Sequence, residues 1–176
     1  MTHAPTTPEE VRQFFTTWVE TANAGDWQAF AELLHPDAVV HDPMGPAPAR
    51  GRAEALARTQ EQYAPFPDGH IAVVGEPFAA LEAAELAYRW RFTGTHLKPI
   101  VPPGFAATQA QVAIDGMSVL RFEDHQVIEV TLFFDTTEVA RQVLAAPPAG
   151  SPIERIVVLA QRLRARRRRR RRSERA

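Results

Sequence analysis

Asp42 is the residue whose type and setting best suit chemistry. It closes the short run Ala38-Val39-Val40-His41-Asp42, near apolar Val40, and precedes Pro43 and Met44. Burial among such neighbours disfavours the charged form of a carboxyl and is expected to raise its pKa. A carboxylate tuned that way can move a proton between carbons near neutral pH. An aspartate before a proline also suits a plainer task, capping a loop by accepting from backbone amides. His96 closes an aromatic strand on the alternating face of Trp90 and Phe92, from where it would donate to a carbonyl or act as an acid. A histidine there serves equally well as a structural hydrogen bonder. Trp18 and Trp90 are expected in a pocket wall with indole N–H groups to donate, although core packing explains them too. Ser118 shares a face with Val112, Ile114 and Leu120, and Tyr63 completes the expected substrate contacts. Asp115 falls on the opposite face and reads as a surface or interface charge.

Other chemistries find no support. The chain has no cysteine, which removes disulfides, thiolate nucleophiles and cysteine-based metal centres. None of its six histidines forms a His-x-His or His-x-x-x-His pair, and no glycine-rich phosphate loop is present. Catalysis, if any, is expected to need neither metal nor cofactor. The polar start lacks a signal-like apolar run and no 18 consecutive residues are apolar, so a soluble, cytoplasmic protein is expected.

The elements that must position these residues divide into two kinds. Thr7-Pro8-Glu9-Glu10 is a capping box with proline at the first helical position, and Val11, Phe14, Phe15, Trp18, Val19 and Ala22 follow at helical spacing. Gly25 ends that helix and Asp26 caps a second, which His35-Pro36-Asp37 is expected to stop before a short strand over 38–42. A third helix is predicted over Arg52 to Tyr63. Beyond Pro65 the period becomes two, predicting strands over 69–76, 84–95, 109–122 and 126–135 with a tight turn at 123–125. A short helix is predicted over 136–144. Helices followed by a run of strands predict an α+β fold, a curved antiparallel sheet wrapped around the N-terminal helices and enclosing a pocket.

Charge divides the chain again. Residues 151–176 carry eleven arginines against Glu154 and Glu174, a net +9, which leaves −10 for residues 1–150. The expected organisation is a domain over 1–146 and a proline-rich linker with an arginine-rich tail over 147–176. The tail starts with a second capping box, Ser151-Pro152-Ile153-Glu154, and Ile153, Val157, Leu159, Ala160 and Leu163 form an apolar stripe. Repulsion along Arg166 to Arg172 favours a disordered, solubilising segment, with nucleic acid or an anionic membrane as its physically possible partners.

Two stretches carry a family resemblance. Trp18-Val19, Asn23-Ala24-Gly25-Asp26, His35-Pro36-Asp37, His41-Asp42-Pro43 and Gly51 together resemble ketosteroid isomerases. Tyr88 to His96, Pro102-Pro103 and Leu120-Arg121-Phe122 through Asp135 are similar to SnoaL-like polyketide cyclases. The resemblance covers about residues 7–145 and implies the cone-shaped fold of the nuclear transport factor 2-like superfamily. It also implies that Asp42 stands where the isomerases keep a general base. The isomerase oxyanion donors would fall at Trp18 and Ser118, and the cyclase acid–base aspartate at Leu132. The implied activity is cofactor-independent acid–base chemistry on a small hydrophobic substrate: polyketide cyclisation, isomerisation or epoxide opening. A non-catalytic ligand-binding or dimerisation module is the alternative. Arg89, Arg91 and Arg121 on one sheet face, together with the family's habit of pairing through the outer sheet, predict a homodimer.

Overall fold

The Thr7 hydroxyl accepts from the Glu10 amide at 3.2 Å and Glu10 Oε2 accepts from the Thr7 amide at 3.2 Å, so the expected capping box starts helix α1 (Pro8–Ala24). Its apolar stripe is buried, with Phe14 and Phe15 at 3% and 2% exposure. Burying one such ring stabilises the fold by about 1.5–3 kcal/mol. Gly25 ends the helix at φ 66°, and Asp26 accepts from the Ala29 amide to cap α2 (Trp27–Leu33). The computed structural model that shows this describes residues 5–102 and 104–173.

The chain then passes directly from α2 into β1 (Leu34–His41). The strand was expected to begin at Ala38; it begins four residues earlier, at Leu34, and takes Pro36 inside it. Two features allow this. β1 slips register against its neighbour between Leu34 and Val39, and β2 (Ala49–Arg50) pairs only with Val39 and Val40, so Pro36 faces no ladder that needs its missing N–H. Helix α3 (Arg52–Tyr63) has the predicted limits and is tied to β1 by Arg52 Nε donating to the Leu34 carbonyl at 2.8 Å. The strand predicted over 69–76 is the shorter β3 (His70–Val73), and a further strand not expected from sequence, β4 (Phe78–Ala80), follows it. Gly75 at φ 75° and Pro77 lie between the two and keep β3 from running on. β5 (Glu85–Thr95), β6 (Gln111–Glu123) and β7 (Gln126–Phe134) are the long strands, and α4 (Thr136–Gln142) follows under an Asp135 cap. Asp124 and His125 both have positive φ, the primed turn that suits a two-residue hairpin.

The strands form one curved sheet in the order β2-β1-β7-β6-β5-β3, with β4 also pairing β5. The fold is α+β as expected, but the sheet is mixed, because β1 runs parallel to β7. Parallel neighbours need a long connection, and here everything from β2 to β6 lies between them. The inner face of β5 and β6 presents Leu86, Tyr88, Trp90, Ile114, Ser118 and Leu120 to α1 and α2. Asn23 extends the edge, donating to the Ile71 carbonyl and accepting from the Ile71 amide, both at 2.8 Å.

The segment expected to be disordered is a helix, α5 (Pro152–Ser173). The Glu154 amide donates to the Ser151 hydroxyl, so the expected hydroxyl cap forms. Glu154 Oε2 accepts from the Gly150 amide rather than from the Ser151 amide, which donates to the Pro148 carbonyl, so the reciprocal half of the second box is shifted by one residue. Arginine, leucine and alanine are strong helix formers, and this local preference prevails over charge repulsion. Among the described residues no helix is long and apolar enough to cross a membrane.

Candidate active site

Between the helices and the inner sheet face lies a largely apolar cavity of about 170 Å³. Its floor is a row of aromatic and hydroxyl groups. Trp18 Nε1 donates to the Tyr88 hydroxyl at 3.1 Å, and Trp90 Nε1 donates to Ser118 Oγ at 2.9 Å. Tyr88 and Ser118 are cross-strand partners, so the two pairs lie side by side. Burial pushes the Tyr88 phenol above its ordinary pKa, and the neighbouring Ser118 and Trp18 only partly offset this. Gly116 makes the arrangement possible: a Cβ there would lie 2.3 Å from the Trp90 indole.

Asp42 stands in the wall just after β1, half-buried. Its Oδ1 accepts from the Met44 amide at 2.9 Å and its Oδ2 from Gln62 Nε2 at 3.1 Å. The carboxylate is therefore fixed from both sides, by its own loop and by α3. It fills the loop-capping role and still borders the cavity. Tyr63, at the end of α3, lies edge-on to Trp27 and Phe92 at 5.6 and 6.0 Å between ring centres. Its hydroxyl is buried without a hydrogen-bond partner, and burial pushes the phenol well above its usual range, keeping it a neutral donor.

The structure thus brings Asp42, Trp18, Trp90, Ser118 and Tyr63 to one cavity. Both indole N–H groups are already committed to Tyr88 and Ser118, which leaves the tryptophans as walls rather than ligand donors. His96 is not in the cavity lining. Alternation placed it beside Trp90 and Phe92, but β5 ends at Thr95 and the chain turns away. The His96 ring is fully buried 5.6 Å from that of Phe66, with Nδ1 3.0 Å from the Thr108 hydroxyl. Burial lowers its pKa, so the imidazole is held neutral. Leu132 does face the cavity and brings no titratable group there. Asp115 lies on the outer face, bridged to Arg91 at 2.7 and 2.8 Å.

Sequence reasoning missed Arg58 and Gln62. The signal was the composition of α3, whose only large apolar residues are Leu56 and Tyr63. A helix so polar, required to cover an apolar sheet, must direct polar side chains inward, and Arg58, Thr59 and Gln62 all reach the cavity. Among the described residues, no group of three His, Asp or Glu side chains is placed to hold a metal ion.

A mixed, curved, unclosed sheet wrapped around helices, with an apolar cavity inside, defines the cone-shaped class of small pocket folds. The chain belongs to the SnoaL-like domain family, whose model matches residues 8–130. Among solved structures it is similar to a candidate polyketide cyclase from Xanthomonas campestris pv. campestris, 20% identical with a TM-score of 0.66, over 77% of this chain and 98% of that one. It is also similar to AclR, a candidate hydroxylase from Streptomyces galilaeus, at 20% identity and a TM-score of 0.66, over 80% and 100% of the two chains. TsrD from Streptomyces laurentii is 22% identical with a TM-score of 0.63, over 77% of this chain and 96% of that chain. At these identities the likeness shows the fold. No curated protein matches by sequence.

Proposed function

We propose that this chain is a cofactor-independent enzyme of the cyclase, isomerase or epoxide-opening type, acting on a small hydrophobic substrate with Asp42 as its proton-transferring base. The observation that carries the reading is Asp42 itself: a carboxylate fixed by Met44 and Gln62 at the wall of an otherwise largely apolar cavity. Such a group, oriented in advance and next to bound substrate, meets the geometric requirement of general base catalysis. The test is Asp42→Asn, which keeps size and hydrogen bonding to Gln62 within reach while removing the proton acceptor. Turnover of an accepted cyclic ketone or epoxide is expected to fall by about 10²-fold or more. A lower melting temperature with unchanged turnover would instead make Asp42 a structural cap.

One observation favours a non-catalytic ligand-binding module: the position the cyclases give to an acid is Leu132, so no second titratable group faces Asp42 from β7. Under that reading Asp42→Asn would leave the affinity for neutral aromatic ligands intact and no turnover would be found for either form.

We also propose that the chain pairs with a second copy through the outer sheet face. The cationic face expected from sequence is largely neutralised within the chain, by Arg91–Asp115 and by Arg121–Glu129 at 2.8 Å. Between these pairs lie half-buried Met117 and Val119 and, opposite Met117, Phe133 at 54% exposure. An apolar centre ringed by polar pairs is the usual composition of an interface. Light scattering at high micromolar concentration is expected to report a dimer that Phe133→Asp converts to monomer; a monomeric parent chain would overturn the proposal.

A further inference from the structure

Arg58 lies mid-way along α3, with its side chain against the loop that carries Asp42. Its Nε donates to Glu61 Oε2 at 3.2 Å. Its Nη1 is buried, borders the cavity and has no hydrogen-bond partner. The loop makes room for this atom, since a Cβ on Gly45 would lie 1.7 Å from it. The nearby carboxylate does not satisfy it. Both oxygens of Asp42 are taken by Met44 and Gln62, and Asp42 forms no ion pair with Arg58 among the described residues. Tyr63, carried by the same helix into the same cavity, has the second unpartnered buried donor. Burying a charged donor without an acceptor is unfavourable, and native structures rarely leave one so. Two donors on α3 thus lie at the cavity with no acceptor among the described residues.

We infer that Arg58 receives an oxygen of the ligand that carries negative charge, and that the substrate is an apolar ring body with a carbonyl or carboxylate oxygen placed at α3. This rests on the reading of the cavity as the substrate site. The positive charge of Arg58 also offsets the repulsion that Asp42 would exert on a ligand carboxylate or on a developing enolate. When Asp42 takes a proton from the carbon next to a carbonyl, the C–H pair becomes the new C=C bond. The carbonyl π pair moves to oxygen. Charge leaves Asp42 and arrives at the oxygen facing Arg58, and returning the proton to carbon restores both; no other reactant is required. A charge-assisted hydrogen bond of this kind is stronger than a neutral one and favours the enolate over the ketone. The usual oxyanion positions of the fold, Trp18 and Ser118, are occupied here in the cavity floor, so the donor has moved to another element.

The test compares two probes of one shape, 2-naphthoate and the neutral 2-acetonaphthone, by calorimetry with the full chain. Arg58→Met keeps the stem and removes the charge. It is expected to weaken naphthoate binding about tenfold or more while changing acetonaphthone binding less than about threefold. Arg58→Lys, which keeps charge and packing, is expected to lie between and serves if the methionine variant does not fold. Equal naphthoate affinity in the parent and either folded variant, with acetonaphthone still bound, would overturn the role of Arg58 and leave the cavity reading standing. Failure of both probes to bind the parent chain would overturn the two together.

Discussion

Helices α1 and α5 begin alike and end in opposite circumstances. Each starts with a hydroxyl cap, proline at the first position and a glutamate folded back over the start, Thr7-Pro8-x-Glu10 onto the Thr7 amide and Ser151-Pro152-x-Glu154 onto the Gly150 amide. Each carries a stripe of apolar residues. In α1 that stripe is aromatic and buried under the sheet, whereas in α5 Ile153, Ile156 and Val157 are 61%, 65% and 54% exposed. The contrast separates two causes that are easily merged. Local capping and propensity decide whether a segment is helical; only a facing surface decides whether the helix contributes to the stability of the whole.

The comparison is broken most forcefully in the core. Phe15→Ala is expected to cost about 3–5 kcal/mol by denaturant unfolding, because a buried ring leaves a cavity behind. Ile156→Ala, the same kind of truncation on α5, is expected to change stability by less than about 0.5 kcal/mol. A large effect at Ile156 would show that α5 packs on something in solution.

Acid gives a second, smaller contrast. His96 is buried with its pKa below the usual 6.5. The unfolded chain therefore takes up a proton that the fold refuses, and the stability present above pH 6.5 falls as pH drops towards the folded value. Glu129, held below the ordinary glutamate range by Arg121, adds a further loss in the more acidic range where carboxylates titrate. Comparing denaturant midpoints at pH 7.5 and 5.5 should show the first loss, and His96→Gln should flatten it. The smallest effect is expected from removing residues 147–176. Beyond the linker, α5 is joined to α4 by Arg141 and Glu154 at 3.5 Å, a partly exposed pair of little weight. The shortened chain should keep the melting temperature and the pH profile of the parent, and a clear drop in either would make α5 part of the body.

What was legible in the sequence follows the same division. Helix limits were readable because their causes are local: Thr7, Gly25 and Asp26 act within a turn, and α3 lies at its expected limits of 52 and 63. β5, β6 and β7 were readable from alternation. The parallel pairing of β1 with β7 was not, since the two strands are joined by nothing local and meet only in the finished sheet. Five of the site residues read from sequence line the cavity. His96 does not, because alternation continues on paper past Thr95, where the strand has ended. Arg58 went unread because an arginine in a polar helix resembles a solvated one until the helix is seen to cover a cavity.

Gly116 bears on which molecules the cavity can admit. The indole of Trp90 rests on it, with the sheet behind and the cavity in front, and a single methyl group there would force the ring forward by an ångström or so. The depth available to a ligand is thus gauged from the neighbouring strand, by a residue that touches no ligand. Exchanging Gly116 for alanine would act as a size filter, shortening the acceptable ring system while leaving Asp42 and Arg58, with whatever chemistry they perform, in place.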